Sequence, residues 1–176
     1  MKNLNISKSA LFSGAIVMAV VLAAAYMWFS PSGAQPAPKI ELTRLDGGQK
    51  IQLDSLRGRP VLVTFWATSC PGCIKEMPHL IELYHELAPK GFEIIGIAMA
   101  YDKPNHVMEM QKDKQIPYPI VWDGMSEAAR AFGGVRLTPS HFLINPDGQI
   151  VKHKIGEIDI KLLHAQILSM LNKPRA

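Results

Sequence analysis

Residues 64–78 read "TFWATSCPGCIKEMP" and hold both cysteines of the 176-residue chain, Cys70 and Cys73. Residues 59–67 form a near-continuous run of β-branched and aromatic side chains, which predicts a central strand buried on both faces. From Ile74 to Ala88, apolar residues recur at helical spacing with charged residues on the other side. The two cysteines therefore lie where a buried strand gives way to an amphipathic helix.

This position suits the two cysteines for redox chemistry. Pro71 fits the first helical position, because the N–H that it lacks would be unsatisfied there anyway. Cys70 is then at the helix N-terminus, where free N–H groups and the helix dipole stabilise a thiolate. Cys73 follows one turn later on the same side. The spacing predicts that Cys70 attacks a disulfide in a partner and that Cys73 resolves the mixed disulfide.

Two other roles for the pair are weaker. A purely structural disulfide that closes four residues would restrain the unfolded chain little. A zinc site would need two more ligands, and the chain has no further cysteine. The histidines at 79, 85, 141 and 153 are scattered, and we interpret them as surface or ordinary packed residues. The pattern favours redox catalysis without a metal or other cofactor.

The remaining pattern predicts an α/β fold, a central mixed sheet flanked by helices. A hairpin turns at residues 46–48, and a second buried strand covers residues 92–100. A polar surface helix is expected at 104–114, a short extended segment at 118–123, and a short helix at 126–132. A hairpin with its turn at 145–148 and a last amphipathic helix, residues 160–170, complete the chain.

The N-terminus predicts a membrane anchor. Lys2 and Lys8 precede an uncharged run, residues 11–29, which spans roughly 28 Å as a helix. We therefore expect residues 1–10 in the cytoplasm, a transmembrane helix at 11–29, a Pro-rich linker at 30–39 and the folded domain at 40–176. Cleavage after the small residues 32–34 remains the alternative. The formal net charge is +4, but positive and negative residues are interspersed along the chain. No nucleic-acid partner is therefore expected.

The chain resembles the thioredoxin superfamily, and the membrane-anchored TlpA/ResA-type thiol-disulfide oxidoreductases most closely. The resemblance covers about residues 40–172 and rests on FWATSCPGCIKEMP, on LTPSHFLINPDGQI and on the apolar anchor. It implies a thioredoxin-like fold with an N-terminal hairpin and a redox-active Cys70–Cys73 disulfide. It also implies a cis Thr138–Pro139 bond that faces the cysteines, with Trp66, Thr138 and Pro139 contacting the substrate chain.

The chain departs from the family pattern at two positions. Ser69 stands where the family usually has Trp, and Thr64 stands where thioredoxin has a buried Asp that helps to deprotonate the second cysteine. Glu76 matches a glutamate typical of the ResA group, one helical turn after Cys73, so it is our candidate proton acceptor. An ordinary solvated residue of the helix remains the alternative for Glu76.

The resemblance implies an oxidoreductase in the inner membrane with its catalytic domain in the periplasm or outside the cell. Its expected partners are disulfide-containing proteins, such as apocytochrome c, and a transmembrane thiol carrier as electron donor. The alternatives are a disulfide oxidase or isomerase and a Sco-like copper-site protein that would use His141. A peroxiredoxin is disfavoured, because its P-x-x-x-T-x-x-C frame would need Thr where Ala67 stands.

Overall fold

The computed structural model describes residues 17–22 and 35–173, which belong to two units divided after Gly33. In the first unit, residues 17–22 are helical. The rest of the expected anchor, and all of residues 1–10, lie outside the described residues. Within the described ranges, no helix has the length and apolar character needed to span a bilayer. The transmembrane anchor therefore stays a prediction.

The second unit is built on a six-stranded mixed sheet with the strand order β1-β8-β7-β4-β5-β6. Strand β4 runs parallel to β5, and β5 runs parallel to β6, whereas β4–β7, β7–β8 and β8–β1 are antiparallel. A separate antiparallel hairpin consists of β2 and β3. The strands are β1 Gln35–Pro36, β2 Glu41–Thr43, β3 Lys50–Gln52, β4 Val61–Trp66, β5 Glu93–Ala98, β6 Ile120–Trp122, β7 Ser140–Ile144 and β8 Gln149–Ile155.

Four α-helices flank the sheet: α1 Pro71–Leu87, α2 Pro104–Asp113, α3 Glu127–Ala131 and α4 Ile160–Leu171. Short 3-10 turns cover Leu53–Leu56 and Ala88–Lys90. Helix α1 has Pro71 at its first position and Pro78 in its interior. The chain leaves this helix through the second 3-10 turn and Gly91, whose φ of 102° suits glycine.

Every residue of β4 is buried, which confirms the central strand that the sequence predicts. Because side chains alternate along a strand, Leu62 and Trp66 point to one face and Val63 and Phe65 to the other. The first face packs against apolar residues of α1 and α4, and the second packs against α3. Each face thus forms an apolar core with the helices that cover it. Both cysteines belong to the core that includes α1 and α4.

The thioredoxin-like α/β fold with a mixed sheet is confirmed, and so is the N-terminal hairpin. One boundary differs from the expectation. Gln35 and Pro36, expected in the linker 30–39, pair with β8, and the Ala37 N–H donates to the Gly148 carbonyl at 2.9 Å. A proline-rich segment suits this place, since an edge strand tolerates a residue without an N–H. The last part of the expected linker therefore belongs to the sheet.

Candidate active site

The two cysteines form a disulfide at the junction of β4 and α1, as the sequence predicts. Cys70 has extended backbone and caps α1, and the Cys73 N–H donates to the Cys70 sulfur at 3.2 Å. Cys70 and Cys73 are both buried, at 8% and 3% exposure, so Cys70 is the more accessible residue of the two. On reduction, the same N–H and the helix dipole stabilise a thiolate on Cys70. The turn formed by residues 70–73 is called the CPGC turn below.

The loop that leads into the CPGC turn is held by a buried carboxylate. Asp102, in the connection after β5, accepts hydrogen bonds from the Thr68 N–H at 2.6 Å and the Thr68 hydroxyl at 2.7 Å. It also accepts from the Lys103 N–H at 3.0 Å. Three hydrogen-bond donors therefore pair with the buried Asp102 carboxylate. Because two of them belong to Thr68, the carboxylate fixes the position of the loop that leads to Cys70.

The loop before β7 lies against the CPGC turn. A cis peptide bond joins Thr138 to Pro139, as the resemblance implies. A methyl group placed on Gly72 would lie 3.6 Å from Cδ of Pro139, so the two segments are neighbours. Thr138 makes no backbone–backbone hydrogen bond within the described residues, and its hydroxyl lies 3.3 Å from that of Tyr101. The Thr138 backbone is therefore free to pair with another chain, and substrate binding there is a proposal.

Glu76 is buried beside the second cysteine. Its side chain is about 6% exposed, and its Oε1 atom lies 3.0 Å from Nε2 of His141, which is 1% exposed. The Ile158 N–H donates to the other carboxylate oxygen at 3.4 Å. The interpretation of Glu76 as a solvated helix residue is therefore wrong. The contact with His141 has the distance of an ion pair, although the ring N–H is not aligned as in a hydrogen bond.

Sequence analysis missed His141, which it interpreted as an ordinary surface or packed residue. In the sheet, His141 lies directly opposite Thr64 of β4, so the two residues share a face. That face is the one beneath α1, because Leu143, two residues further along β7, belongs to the α1-side core. The signal in the sequence is a histidine two residues before Leu143 in a predicted hairpin strand, because residues two apart in a strand lie on the same face.

Trp66 is placed differently from the expectation. Its side chain is buried in the same core as the cysteines, and an added methyl on Gly96 would lie 3.3 Å from its Nε1. A buried indole offers little surface to a partner. The structure therefore does not support Trp66 as a direct substrate contact, and its place is in the core next to the site.

An ion pair lies at the outer side of the CPGC turn. Lys75 Nζ is 2.9 Å from Oε2 of Glu157, in the segment between β8 and α4. The other oxygen of Glu157 would lie 3.8 Å from a methyl group on Gly72, the residue between the cysteines. The positive charge of Lys75 is therefore matched by a carboxylate that lies close to the redox pair.

Tyr118 lies near the buried glutamate. Burial raises the pKa of its phenol well above the usual range, and the Glu76 carboxylate adds to that rise. The phenol therefore stays neutral under ordinary conditions. Among the described residues, no group of three or more His, Cys, Asp or Glu side chains is arranged to hold a metal ion.

The fold and this site define a class of protein, a thioredoxin-like oxidoreductase with a redox-active cysteine pair at the start of a helix. Residues 34–153 match the AhpC/TSA family, and the chain belongs to this family. It is 36% identical over 121 residues to the thiol-disulfide oxidoreductase ResA of Bacillus thuringiensis subsp. konkukian, covering 69% of this chain and 68% of that protein. It is 31% identical to ResA of Bacillus subtilis over 135 residues, covering 77% and 74%.

A solved structure supports the same conclusion. The thioredoxin-family thiol:disulfide interchange protein from Chlorobium tepidum superimposes with a TM-score of 0.72 at 27% sequence identity. The match covers 80% of this chain and 99% of that one. Together with the disulfide at Cys70–Cys73, these relatives show that the protein is a thiol-disulfide oxidoreductase.

Proposed function

We propose that this protein reduces disulfides in partner proteins outside the cytoplasm while tethered to the membrane by residues 11–29. Its substrates would include the haem-binding cysteine pair of apocytochrome c, as the resemblance to ResA implies. A thiol carrier in the membrane would return electrons to the Cys70–Cys73 pair. A reductant in an oxidising compartment needs such a donor, which is why a tether suits this role.

The direction of the chemistry is argued from charge at the CPGC turn. A strong disulfide oxidant is one whose reduced form is unusually stabilised. Pro71 and Gly72 have no side chain that donates to the Cys70 thiolate, and the charge of Lys75 is paired with Glu157 at 2.9 Å. Only helix N–H groups and the dipole remain, and the dipole contributes at most about 2 kcal/mol even where the charge is partly buried. The lack of a donating or positively charged side chain at Pro71 and Gly72 is the single observation that carries the proposal of a reductant, and the ion pair adds to it.

The test is the reduction potential of the full-length protein equilibrated with defined thiol-disulfide buffers. We expect a value nearer the thioredoxin level of about −270 mV than the DsbA level of about −120 mV. The substitution Glu157→Gln leaves Lys75 unpaired and should raise the potential by roughly 20 mV or less, since an exposed ion pair contributes up to about 1 kcal/mol. Glu82→Gln, on the exposed side of α1, is the control and should change nothing. A wild-type potential above about −180 mV would favour an oxidase or isomerase.

The proposed mechanism assigns different roles to the two cysteines. Cys70 attacks the substrate disulfide and Cys73 resolves the mixed disulfide, with Glu76 as acceptor of the Cys73 proton. Cys73→Ser should therefore leave substrates bound to Cys70, whereas Cys70→Ser should trap none. An oxidised peptide with the haem-binding motif of apocytochrome c is the first substrate to use. Trapping through Cys73 instead of Cys70 would reverse the assignment.

The location is tested separately. Protease added to spheroplasts should digest residues 40–176, while a cytoplasmic control protein remains intact. Protection of this domain, with an external control protein degraded, would refute the proposed orientation.

A further inference from the structure

The buried carboxylate of Glu76 has few polar partners. Within the described residues, its partners are the Ile158 N–H at 3.4 Å, which is a long contact, and Nε2 of His141 at 3.0 Å. A carboxylate removed from water is costly unless it is paired. Without His141, the long contact with Ile158 alone would remain. The position of the Glu76 carboxylate therefore depends on the histidine.

His141 is held rigidly enough to serve this purpose. It lies in β7, the strand between β4 and β8, and is paired in register with Thr64 on one side and Lys154 on the other. Neither ring nitrogen has an aligned hydrogen bond among the described residues, and Nε2 lies within ion-pair distance of the Glu76 carboxylate. The ring is therefore fixed by the sheet and has one polar contact, the carboxylate of Glu76.

We propose that His141 is a positioning residue for Glu76. It holds the carboxylate next to the turn of Cys73, where the carboxylate can accept the proton of the Cys73 thiol. This inference rests on the proposed role of Glu76 as the acceptor of the Cys73 proton. With His141 included, the proposed site extends from helix α1 to strand β7 of the sheet.

The step that His141 supports is the resolution of the mixed disulfide. The Cys73 thiol gives its proton to Glu76, and its sulfur electron pair forms the new bond to the Cys70 sulfur. The bond between the Cys70 sulfur and the substrate sulfur breaks, and its electron pair leaves on the substrate as a thiolate. The substrate gains two electrons over the whole cycle, and the Cys70–Cys73 pair is oxidised to the disulfide.

Other titratable groups face the pair and belong in any account of its pH dependence. Cys73 lies one turn before Glu76 on α1, Tyr118 lies in the segment before β6, and Lys154 lies opposite His141 on β8. The pKa of Tyr118 is raised by burial, so its phenol is neutral through the neutral range. The Tyr118 phenol therefore contributes nothing to a change in the pH profile near neutrality.

The experiment measures the Cys73 step directly. Reduced full-length protein is mixed with less than one equivalent of dithiobis(nitrobenzoate), so that each reagent molecule releases one coloured thiolate when Cys70 attacks and a second when Cys73 resolves the mixed disulfide. The second release is followed from pH 5 to 9 in the wild type and in His141→Ala, His141→Gln, Glu76→Gln and the combination of His141→Ala with Glu76→Gln. His153→Ala, an exposed histidine on β8, is the matched control.

We expect His141→Ala to slow the second release near neutral pH by roughly tenfold or more, and the first release to stay unchanged. His141→Gln keeps a polar side chain next to Glu76 and should restore part of the rate. This variant also provides the test if the alanine variant fails to fold. In the Glu76→Gln background, His141→Ala should add nothing, because the two residues act as one unit. His153→Ala should match the wild type.

Two outcomes would overturn the inference: an unchanged second release in both His141 variants, or equal slowing by His141→Ala with and without Glu76. These failures are distinct from failure of the proposed function. If Glu76→Gln does not slow the second release, the proton-acceptor role itself is wrong. If the measured reduction potential lies above about −180 mV, the proposed reductase role is wrong, independently of the results for the His141 variants.

Discussion

At the scale of single residues, Gly72 is a position next to both cysteines where the structure has room for a side chain. It lies between Cys70 and Cys73 in the first turn of α1, with Pro139 and Glu157 next to it. Its backbone does not have a positive φ, so a side chain is compatible with its conformation. An added methyl would make ordinary contacts at 3.6–3.8 Å. The glycine is therefore not required by the fold, and what it provides is free space beside the disulfide.

We predict that Gly72→Ala leaves the fold intact and raises the free energy of unfolding by up to about 1 kcal/mol, because alanine loses less backbone freedom in a helix. The added methyl fills space that a protein substrate would occupy, so reduction of a protein disulfide should slow more than reduction of dithiobis(nitrobenzoate). Denaturant unfolding and the two rates measure this. Gly58→Ala is the control: its φ of 89° should make it destabilising. A stability loss in Gly72→Ala as large as in Gly58→Ala would contradict the argument.

At the scale of elements, two connections on the same edge of the sheet hold the site together. The connection after β4 carries Thr68 and the CPGC turn, and the connection after β5 carries Asp102. Because β4 and β5 are parallel neighbours, their carboxyl ends lie side by side. The Asp102 carboxylate joins the two connections through the backbone and side chain of Thr68. The geometry at Cys70 therefore depends on a residue in a different loop.

Substituting Asp102 by Ala should remove this link and leave the Thr68 donors unsatisfied. We expect a loss of about 2 kcal/mol or more in the free energy of unfolding, which is typical for hydrogen bonds to a buried charged group. The attack of Cys70 on a small disulfide should also slow, since its loop is no longer fixed. Asp113→Ala, an exposed acid at the end of α2, is the control and should change neither quantity. Equal effects of the two substitutions would show that Asp102 has no special role.

The sequence predicted what is local and missed what joins distant segments. The buried strand, the helix and the position of Cys70 follow from periodicity and from Pro71, and the structure confirms them. The contact of Glu76 with His141 and that of Lys75 with Glu157 depend on strand register and loop placement, which no local pattern specifies. The pairing of Gln35 with β8 was missed for the same reason, because a proline-rich composition says nothing about which sheet edge is open.

At the scale of the whole molecule, the core between α1 and the sheet contains two tyrosines in edge-to-face contact. The rings of Tyr84 and Tyr118 lie 5.7 Å apart between centroids, at an interplanar angle of 70°. Burial, with a smaller contribution from the Glu93 carboxylate, raises the pKa of Tyr84 to about 12. The pKa of Tyr118 is also raised, first by burial and then by Glu76. Folding therefore favours the neutral phenols, which links stability to alkaline pH.

The sign of this linkage gives the last prediction. A group whose pKa is higher in the folded state than in the unfolded state stabilises fully below its unfolded pKa, about 10 for tyrosine. That contribution is lost as the pH rises through the folded values, so stability should fall from about pH 10 upward. Tyr118→Phe removes the ionisation from the more buried ring and should move the alkaline unfolding midpoint to higher pH, as followed by circular dichroism. Tyr84→Phe should shift it less, because Tyr84 is only partly buried. Tyr101→Phe, with a side chain that is 61% exposed, is the control, and a midpoint equal in all three variants would refute the linkage.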